Sequence, residues 1–131
     1  MVKITTDPKT YAVEPGGILR WIKNEDIAEK LYGPEWYLRI DDVPDVFFIN
    51  YAQGDPIETY QHPIGSLIRY AGNPTIYYIG EGYKKRAIQS EEAFSSNRFQ
   101  WENVLTISST INYEDGEPIL KAEDKLINLV Q

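Results

Sequence analysis

Apolar and polar residues alternate along two regions of the chain, and glycines interrupt each alternation. The first region reads "TYAV" at 10–13 and "ILRWI" at 18–22, and the second reads "TIYYI" at 75–79 and "KKRAI" at 84–88. Alternation on both sides of a short glycine-containing turn is typical of a β-hairpin. The Pro-Gly pair in the first turn supplies the residues that a type II turn needs at its second and third positions. The pattern therefore predicts one hairpin in each half of the chain.

Each predicted hairpin is followed by a segment whose apolar residues have helical spacing. Asn24 and Ser90 are candidate N-caps, and the two acidic residues after each would face the positive end of the helix dipole. The first helix is expected to end at Gly33, and the second, which is shorter, near Asn97. The residues expected to face the core are Ile27, Ala28 and Leu31 in the first helix and Ala93 and Phe94 in the second.

Further strands and a terminal helix complete the predicted elements. Strands are expected at 45–51 ("DVFFINY"), at 66–70 ("SLIRY") and at 103–108 ("NVLTIS"). The apolar residues of the tail segment 121–130 have helical spacing. This spacing predicts an amphipathic helix that covers the exposed end of the fold.

The two halves of the chain align with each other when the sequence is shifted by 66 positions. Residues 2–28 then match residues 68–94 without a gap, and further on Trp36 matches Trp101 at a shift of 65. An ordered series of matches of this kind indicates that a structural unit was duplicated. The six identical positions in the ungapped part are Pro8/Pro74, Tyr11/Tyr77, Gly16/Gly82, Arg20/Arg86, Ile22/Ile88 and Glu25/Glu91.

An octapeptide of the form Asn-Tyr-x-x-Gly-x-Pro-Ile closes both copies. It reads "NYAQGDPI" and, at a shift of 62, "NYEDGEPI". Neither copy has enough apolar residues to fold easily alone. We therefore predict a single α+β domain in which two tandem β-hairpin–helix–strand repeats pack pseudo-symmetrically about a twofold axis. The expected bounds are 1–131 for the domain, about 2–57 for repeat 1, 58–67 for the linker, about 68–119 for repeat 2 and 120–131 for the tail.

The overall composition narrows the possible classes of function. With 131 residues, 42 % of them apolar, the chain has a globular composition. The formal charge of −7 argues against binding of a nucleic acid and against docking on anionic lipid. No apolar run reaches the roughly 18 residues of a membrane span, so membrane insertion is not expected. Because the chain lacks cysteine, it has no disulfide, no thiolate metal site and no cysteine nucleophile.

Residues that could carry catalysis are scattered along the chain. The single histidine, His62, lies between the repeats and is expected to be a solvated loop residue, which leaves no Ser-His pair. Carboxylates are the remaining route to acid–base chemistry or cation binding, but their spacing lacks the ligand order of a calcium loop. We expect solvated acidic turns, no metal and no cofactor. The carboxylates concerned are Asp41, Asp42 and Asp45 in "DDVPD" and Glu114, Asp115 and Glu117 in "EDGE".

The aromatic residues are stronger candidates for binding. Tyr11 and Tyr77 occupy the same position in the two repeats, so either core packing or ligand contact would account for them. The matched tryptophans are expected to pack in the core. Trp21 and Tyr78 each have alanine in the other repeat, which makes them better surface candidates. Exposed aromatic rings at these positions would suit stacking on a sugar ring or anchoring of a protein contact.

Arg20 and Arg86 are the matched cationic residues. Each lies on the second strand of a hairpin, five residues before a glutamate, Glu25 or Glu91. A planar ion pair that links the strand to the helix is one interpretation, and recognition of an anionic ligand is the other. The predicted binding residues are therefore Tyr11, Arg20, Trp21, Tyr77, Tyr78 and Arg86.

The second repeat contains, in order, the segments "SLIRY", "NPTIYYI", a glycine turn, "KKRAIQSEEAF" and "FQWENVLTIS" within residues 66–108. In this series of segments it resembles a tandem repeat of bacterial extracellular proteins. Residues 2–49 match it more loosely, with Asn24 in place of the serine and Ala28 in place of the phenylalanine. Such repeats occur beside cell-wall hydrolases and in large surface proteins. The resemblance implies a surface location and an accessory role, and it brings no catalytic residues.

These observations together predict a non-catalytic bacterial surface module that contacts an envelope protein or acts as a spacer. The expected location is extracellular or at the cell surface, with a targeting segment outside this chain. The alternative is binding of a cell-wall glycan through stacked aromatic rings. A small hydrolase is the third hypothesis. It would need a cleft in which two carboxylates converge, and the candidates are Asp41, Asp42, Asp45, Glu58, Glu114 and Asp115.

Overall fold

The computed structural model describes residues 1–3, 8–44 and 51–123. The chain divides into two compact units, Met1–Gln61 (unit 1) and His62–Val130 (unit 2). The boundary between them falls inside the predicted linker. Among the described residues each unit combines a β-sheet with an α-helix, so the predicted α+β class is confirmed.

Unit 1 contains a mixed sheet built around the predicted first hairpin. Its elements are β1 (Val2–Lys3), β2 (Tyr11–Glu14), β3 (Ile18–Trp21), α1 (Glu25–Tyr32), a 3₁₀ helix (Trp36–Arg39), β4 (Asp41–Asp42) and β5 (Ala52–Gln53). The strand order is β4-β1-β2-β3-β5. The pairs β1–β4 and β3–β5 are parallel, and the pairs β1–β2 and β2–β3 are antiparallel. In the β2–β3 turn Gly16 has a φ of 87°, the positive value that the sequence predicts.

Unit 2 contains a second mixed sheet with its own hairpin. Its elements are β6 (Leu67–Tyr70), β7 (Tyr77–Ile79), a 3₁₀ helix (Glu81–Tyr83), β8 (Lys85–Ala87), α2 (Glu91–Ser96), a 3₁₀ helix (Trp101–Asn103) and β9 (Val104–Ile107). The strand order is β8-β7-β6-β9, with β6–β9 parallel and the other pairs antiparallel. Strands β6 and β9 lie where the sequence predicts them. The β7–β8 turn contains Gly82 with a φ of 70°.

The first strand and the hairpin pair in the same register in both units. Val2 pairs with Tyr11 in unit 1, and Ile68 pairs with Tyr77 in unit 2. Both partners of the second pair lie 66 positions after those of the first, which is the shift found in the sequence. In each unit the first strand also pairs in parallel with the strand that follows the helix.

The last residue of the octapeptide also pairs with equivalent residues in the two units. Ile57 forms a parallel bridge with Ile22, and Ile119 forms a parallel bridge with Ile88. The side chains of Ile57 and Ile119 are buried, at 1 % and 0 % exposure. The octapeptide therefore joins the edge of each sheet beside the second hairpin strand.

The helix termini match their sequence signals. Asn24 Oδ1 accepts a hydrogen bond from the Ile27 amide at 3.0 Å, and Ser90 Oγ accepts one from the Ala93 amide at 3.0 Å. Helix α1 ends at Gly33, which has a φ of 90°. The residues predicted to face inward are buried, namely Ile27, Ala28, Leu31, Ala93 and Phe94.

Each helix packs on one face of the sheet of its own unit. In unit 1 the helix residues contact Ala12, Ile22 and Ile57, and in unit 2 they contact Leu67, Tyr78 and Ile119. Successive strand residues point to opposite faces, so the neighbouring positions form a second apolar surface. In unit 1 this second cluster is centred on Val2, Tyr11 and Leu19. In unit 2 the residue that corresponds to Val2, Ile68, is buried, and Ile79 and Leu105 are buried as well.

Two predicted elements fall largely on residues that the structure does not describe. The strand expected at 45–51 lies outside the described residues except for Tyr51, and the tail helix expected at 121–130 lies outside them except for 121–123. Within the described ranges, no helix has the length and apolar character needed to cross a membrane.

Candidate functional site

The glycine of the octapeptide allows its backbone to approach the neighbouring strand closely. A Cβ added at Gly54 would lie 2.6 Å from Ile18 Cγ2, and one added at Gly116 would lie 3.1 Å from Arg86 Cγ. A side chain at either glycine position would therefore force the neighbouring atoms to move, which costs packing energy. The amide of each glycine donates a hydrogen bond of 2.8 Å to a carbonyl oxygen on the second hairpin strand. This glycine is therefore needed to build the sheet edge.

Arg20 and Arg86 bind the octapeptide backbone at equivalent positions. Arg20 Nε donates to the carbonyl oxygen of Asp55 at 2.9 Å, and Arg86 Nε donates to the carbonyl oxygen of Glu117 at 2.7 Å. Asp55 and Glu117 are the same position of the octapeptide. The two arginines thus fix the chain segment that closes each unit.

Each of these arginines also forms an ion pair. Arg20 Nη1 lies 3.3 Å from Glu14 Oε2, and the two side chains are only 11 % and 8 % exposed. Arg86 Nη2 lies 2.7 Å from Glu123 Oε2, with exposures of 20 % and 31 %. Because the Arg20 pair is almost buried, a dissolved ligand has little access to this guanidinium.

The predicted ion pairs between the arginines and the helix glutamates are wrong. In the part of the chain that the structure describes, Glu25 and Glu91 form no ion pair with Arg20 or Arg86. The spacing of five residues places a strand residue near the start of the helix but does not fix the direction of its side chain. Both guanidinium groups instead extend to the octapeptide.

His62 is fully buried, so the prediction of a solvated loop residue is wrong. The backbone N–H of His62 donates to the hydroxyl oxygen of Tyr113 at 2.6 Å, and its Nδ1 lies within hydrogen-bonding distance of the same hydroxyl. Burial raises the pKa of Tyr113 well above its ordinary value, although the hydrogen bond from the His62 amide acts in the opposite direction. Tyr113 is the tyrosine of the octapeptide, and it supplies the polar partner that a buried imidazole requires.

The three tyrosines predicted to bind a ligand lie partly or wholly inside the fold. Tyr11 is 6 % exposed and Tyr78 is 3 % exposed, with the Tyr78 ring stacked on Phe99 at a centroid distance of 5.6 Å. Tyr77 is half-buried, and the Lys85 ammonium lies 5.6 Å from its ring centroid. The prediction that Tyr78 is a surface residue is wrong because this position faces helix α2.

Trp21 is the predicted binding residue that lines a cleft. The cleft has a volume of about 290 Å³ and is also lined by Trp36 and Ala28. Two ammonium groups lie against the Trp21 ring, Lys9 Nζ at 4.9 Å and Lys23 Nζ at 5.0 Å from its centroid. Distances below about 6 Å allow an attractive cation–π interaction. The cleft therefore combines flat apolar surface with positive charge.

Further polar groups of this cleft come from Thr10 and from the start of helix α1. Asn24 and Glu25 line it, and the Lys23 ammonium also lies 3.4 Å from a carboxylate oxygen of Glu58. Lys23 and Glu58 have exposed side chains, so their ion pair is weak and open to exchange. A ligand carboxylate could therefore replace Glu58 as a partner of Lys23 at little cost.

A second candidate surface consists of exposed apolar residues on the 3₁₀ helices that follow the α-helices. Tyr37 and Leu38 are 58 % and 69 % exposed in unit 1, and Trp101 is 59 % exposed in unit 2. The prediction that both matched tryptophans pack in the core is wrong for Trp101, which stacks on Phe94 at 4.3 Å. Phe94 occupies the core position there, so the indole remains on the solvent side.

The acidic turns carry separate, exposed carboxylates. Asp41 and Asp42 form an exposed edge strand, Asp115 pairs with Lys85 at 3.2 Å, and Asp45 lies outside the described residues. Within residues 1–3, 8–44 and 51–123, no group of three or more His, Asp or Glu side chains could hold a metal ion.

Comparison of the chain with protein-family models, with curated proteins and with solved structures finds no match. The resemblance to bacterial extracellular repeats therefore remains a prediction from the sequence. A function for this chain has to be argued from the contacts described above.

Proposed function

We propose that the chain is a non-catalytic module of a bacterial surface or envelope protein, built from a duplicated unit, that contacts another protein or acts as a spacer. The proposal rests on one observation. Several of the residues shared by the two halves hold each unit together. These shared residues are the arginine that donates to a backbone carbonyl of the octapeptide, the octapeptide glycine, and the octapeptide isoleucine with the isoleucine to which it forms a bridge.

This use of the shared residues favours a structural repeat over an enzyme. A catalytic site retained after duplication would be expected among the shared polar residues, and the shared arginines bond to the backbone of their own unit. Repeats of this kind typically supply a scaffold on which a few variable residues determine binding. The pseudo-twofold packing of the two repeats into one domain is part of this proposal.

The exposed side chains of Tyr37 and Leu38 support a role in protein contacts. Both lie on the 3₁₀ helix of unit 1, and Tyr37 packs edge-on against Trp36 at a centroid distance of 6.1 Å. Tyrosine is enriched among the residues that contribute most to binding at protein interfaces, and the exposed leucine beside it extends the apolar surface. We expect this surface to face an envelope protein.

Retention of the chain on immobilised bacterial envelope proteins tests the proposal. We expect binding with a Kd of about 100 µM or tighter, which corresponds to roughly 5.5 kcal/mol. The double variant Tyr37→Ser, Leu38→Ser should lose it, and the control variant Leu120→Ser, also at an exposed leucine, should keep it. If the wild-type chain is not retained, only the spacer role survives. If retention does not depend on Tyr37 and Leu38, the assigned surface is wrong.

Binding of a cell-wall carbohydrate is the second candidate function. The cleft beside Trp21 favours it, because an indole face and neighbouring polar groups are the features that hold a sugar ring. Tryptophan fluorescence titrated with peptidoglycan fragments and common glycans tests this function. A change that saturates would support it, and a flat response across the panel would reject it.

A further inference from the structure

The Trp21 cleft has the size and the surfaces for a single ring-shaped ligand. Its volume of about 290 Å³ is just below the lower limit of the usual range of ligand sites, about 300–1,000 Å³, so it suits a small ligand. Trp21 and Trp36 both contribute to its lining. One face of a pyranose ring consists mainly of C–H groups, which pack well on an indole. The lining therefore suits one sugar residue.

Lysine side chains at the cleft could pair with an acidic group of a sugar. Lys9 and Lys23 bring two positive charges to the cleft and Glu25 brings one negative charge. Glu58 adds a second negative charge, because it pairs with Lys23 at 3.4 Å, but this ion pair is exposed and therefore exchanges readily with another carboxylate. Both ammonium groups lie over the Trp21 ring, 4.9 and 5.0 Å from its centroid, so a ligand ring that stacks on the indole has to move at least one of them aside. A ligand that stacks on this ring would bring a carboxylate within reach of either lysine.

Unit 2 lacks the same cleft residues. The shift of 66 positions places Ala87 at the position of Trp21 and Phe94 at that of Ala28. In unit 2 the Phe94 ring stacks on Trp101 at 4.3 Å. In unit 1 the smaller Ala28 leaves room beside Trp36.

The two lysines are also specific to unit 1. The same shift places Thr75 at the position of Lys9 and Gln89 at that of Lys23. Unit 1 thus differs from unit 2 in the aromatic ring, in both cations and in the residue that leaves the space. These differences occur together at one place, while the residues that hold each unit together are shared.

We propose that the Trp21 cleft of unit 1 binds a sugar residue that carries a carboxylate, such as a uronic acid, and that unit 2 does not. This inference rests on the second candidate function and specifies its ligand class and location. The indole surface positions the ring, and Lys9 and Lys23 bind the carboxylate.

A titration with two matched sugars tests the inference on the whole chain. The two sugars differ only at C6, which is a carboxylate carbon in methyl glucuronide and a hydroxymethyl carbon in methyl glucoside. The readout is the NMR signal of the Trp21 indole N–H, assigned with the Trp21→Phe variant, with the Trp101 signal as internal control. We expect the glucuronide to shift only the Trp21 signal of the two and to bind at least about fivefold more tightly than the glucoside. Its affinity should fall as salt rises from about 10 to 300 mM.

Variants that introduce the residues of unit 2 complete the test. The double variant Lys9→Thr, Lys23→Gln should weaken glucuronide binding about tenfold and leave glucoside binding unchanged. The Ala28→Phe variant should abolish binding of both sugars by filling the cleft. The control with the same charge change combines Lys84→Gln and Lys121→Gln, both at exposed positions. If the Ala28→Phe variant does not fold, the lysine variant still decides the question, because Lys9 and Lys23 are both exposed.

The outcomes separate the inference from the function on which it rests. Equal affinity for the two sugars overturns the role of the carboxylate and leaves sugar binding intact. Binding of acetate as tight as that of the glucuronide overturns the role of the sugar ring. A response of the Trp101 signal equal to that of Trp21 overturns the restriction to unit 1. If neither sugar shifts the Trp21 signal at about 50 mM, far above a typical working affinity, the inference is refuted, and the titration with peptidoglycan fragments and common glycans then decides the carbohydrate function.

Discussion

Replacing Arg20 by methionine should destabilise unit 1 strongly, because the guanidinium neutralises an almost buried carboxylate. The Glu14 side chain is 8 % exposed and lies 3.3 Å from Arg20 Nη1. Removing one partner of a buried ion pair typically costs about 3–5 kcal/mol. The variant also loses the hydrogen bond from Arg20 Nε to the Asp55 carbonyl at 2.9 Å, of a kind worth about 1.5–3 kcal/mol. These contributions are not additive, and we expect a loss of about 3–4 kcal/mol.

The equivalent arginine of unit 2 provides the matched control. Arg86 and Glu123 are 20 % and 31 % exposed, so solvent screens their ion pair more effectively. The Arg86→Met variant should therefore lose less of its free energy of unfolding, about 1–2 kcal/mol, mainly because the hydrogen bond to the Glu117 carbonyl is lost. The difference between the two variants reports on burial, because the two side chains have equivalent partners on the octapeptide.

Urea denaturation followed by tryptophan fluorescence measures these losses, and amide hydrogen exchange assigns them to a unit. The double variant Glu14→Gln, Arg20→Met should recover about 1–2 kcal/mol relative to Arg20→Met, because it removes the buried charge. The reasoning is refuted if Arg20→Met costs less than about 1 kcal/mol. It is also refuted if the double variant is no more stable than the single one. Either result would favour the other interpretation of Arg20, recognition of an anionic ligand.

Three further predictions concern packing, ionisation and helix caps. Gly54→Ala should lower the free energy of unfolding, measured by urea denaturation, by about 1–3 kcal/mol, because the added Cβ would clash with Ile18 Cγ2. Adding Ile18→Leu removes that methyl branch and should restore part of the lost stability. A Gly54→Ala variant as stable as the wild type would contradict the close approach. The pKa of Tyr113 is raised in the folded protein, so the unfolded chain loses the Tyr113 proton at a lower pH than the folded one. The stability of the fold is therefore unaffected by this group below about pH 10, where the unfolded tyrosine begins to ionise, and decreases as the pH rises further. Thermal denaturation should therefore show a steeper loss of stability above about pH 10 for the wild type than for Tyr113→Phe, and parallel curves would contradict this. Asn24→Ala and Ser90→Ala should each cost about 1 kcal/mol, and a loss below about 0.3 kcal/mol would argue against the observed caps.

Local elements could be predicted from the sequence because their causes lie within a few residues. The caps Asn24 and Ser90 bond to amides three positions away, and Gly33 ends its helix through its own backbone conformation. The first hairpin follows from the alternation of its strands and from the glycines in its turn. These interactions are the same in most folds, so a pattern of residue types identifies them.

The arrangement of strands could not be predicted in the same way. The parallel pairs β1–β4 and β6–β9 join segments on opposite sides of a hairpin and a helix. Nothing local in the sequence specifies which segment becomes the neighbour of another. The repeated octapeptide was recognisable, but its partner on the second hairpin strand was not, because the pairing of Ile57 with Ile22 spans 35 positions.

The candidate site was predicted in part, and the misses have a common physical cause. Trp21 was identified because alanine replaces it in the other repeat. Tyr77 and Tyr78 are adjacent in a strand, so they point to opposite faces, and the run of apolar residues does not show which face meets the helix. His62 is buried beside a hydroxyl 51 residues away. Lys9 reaches Trp21 only because the hairpin brings the two together.

The most direct test of the duplicated architecture is an NMR measurement of hydrogen-bond scalar couplings at the two octapeptides. The Ile57 amide donates to the Trp21 carbonyl oxygen at 2.7 Å, and the Ile119 amide donates to the Ala87 carbonyl oxygen at 2.8 Å. We expect a coupling across both bonds, with similar magnitudes. A coupling in one unit and none in the other would show that the octapeptide closes the two halves differently, and it would contradict the account.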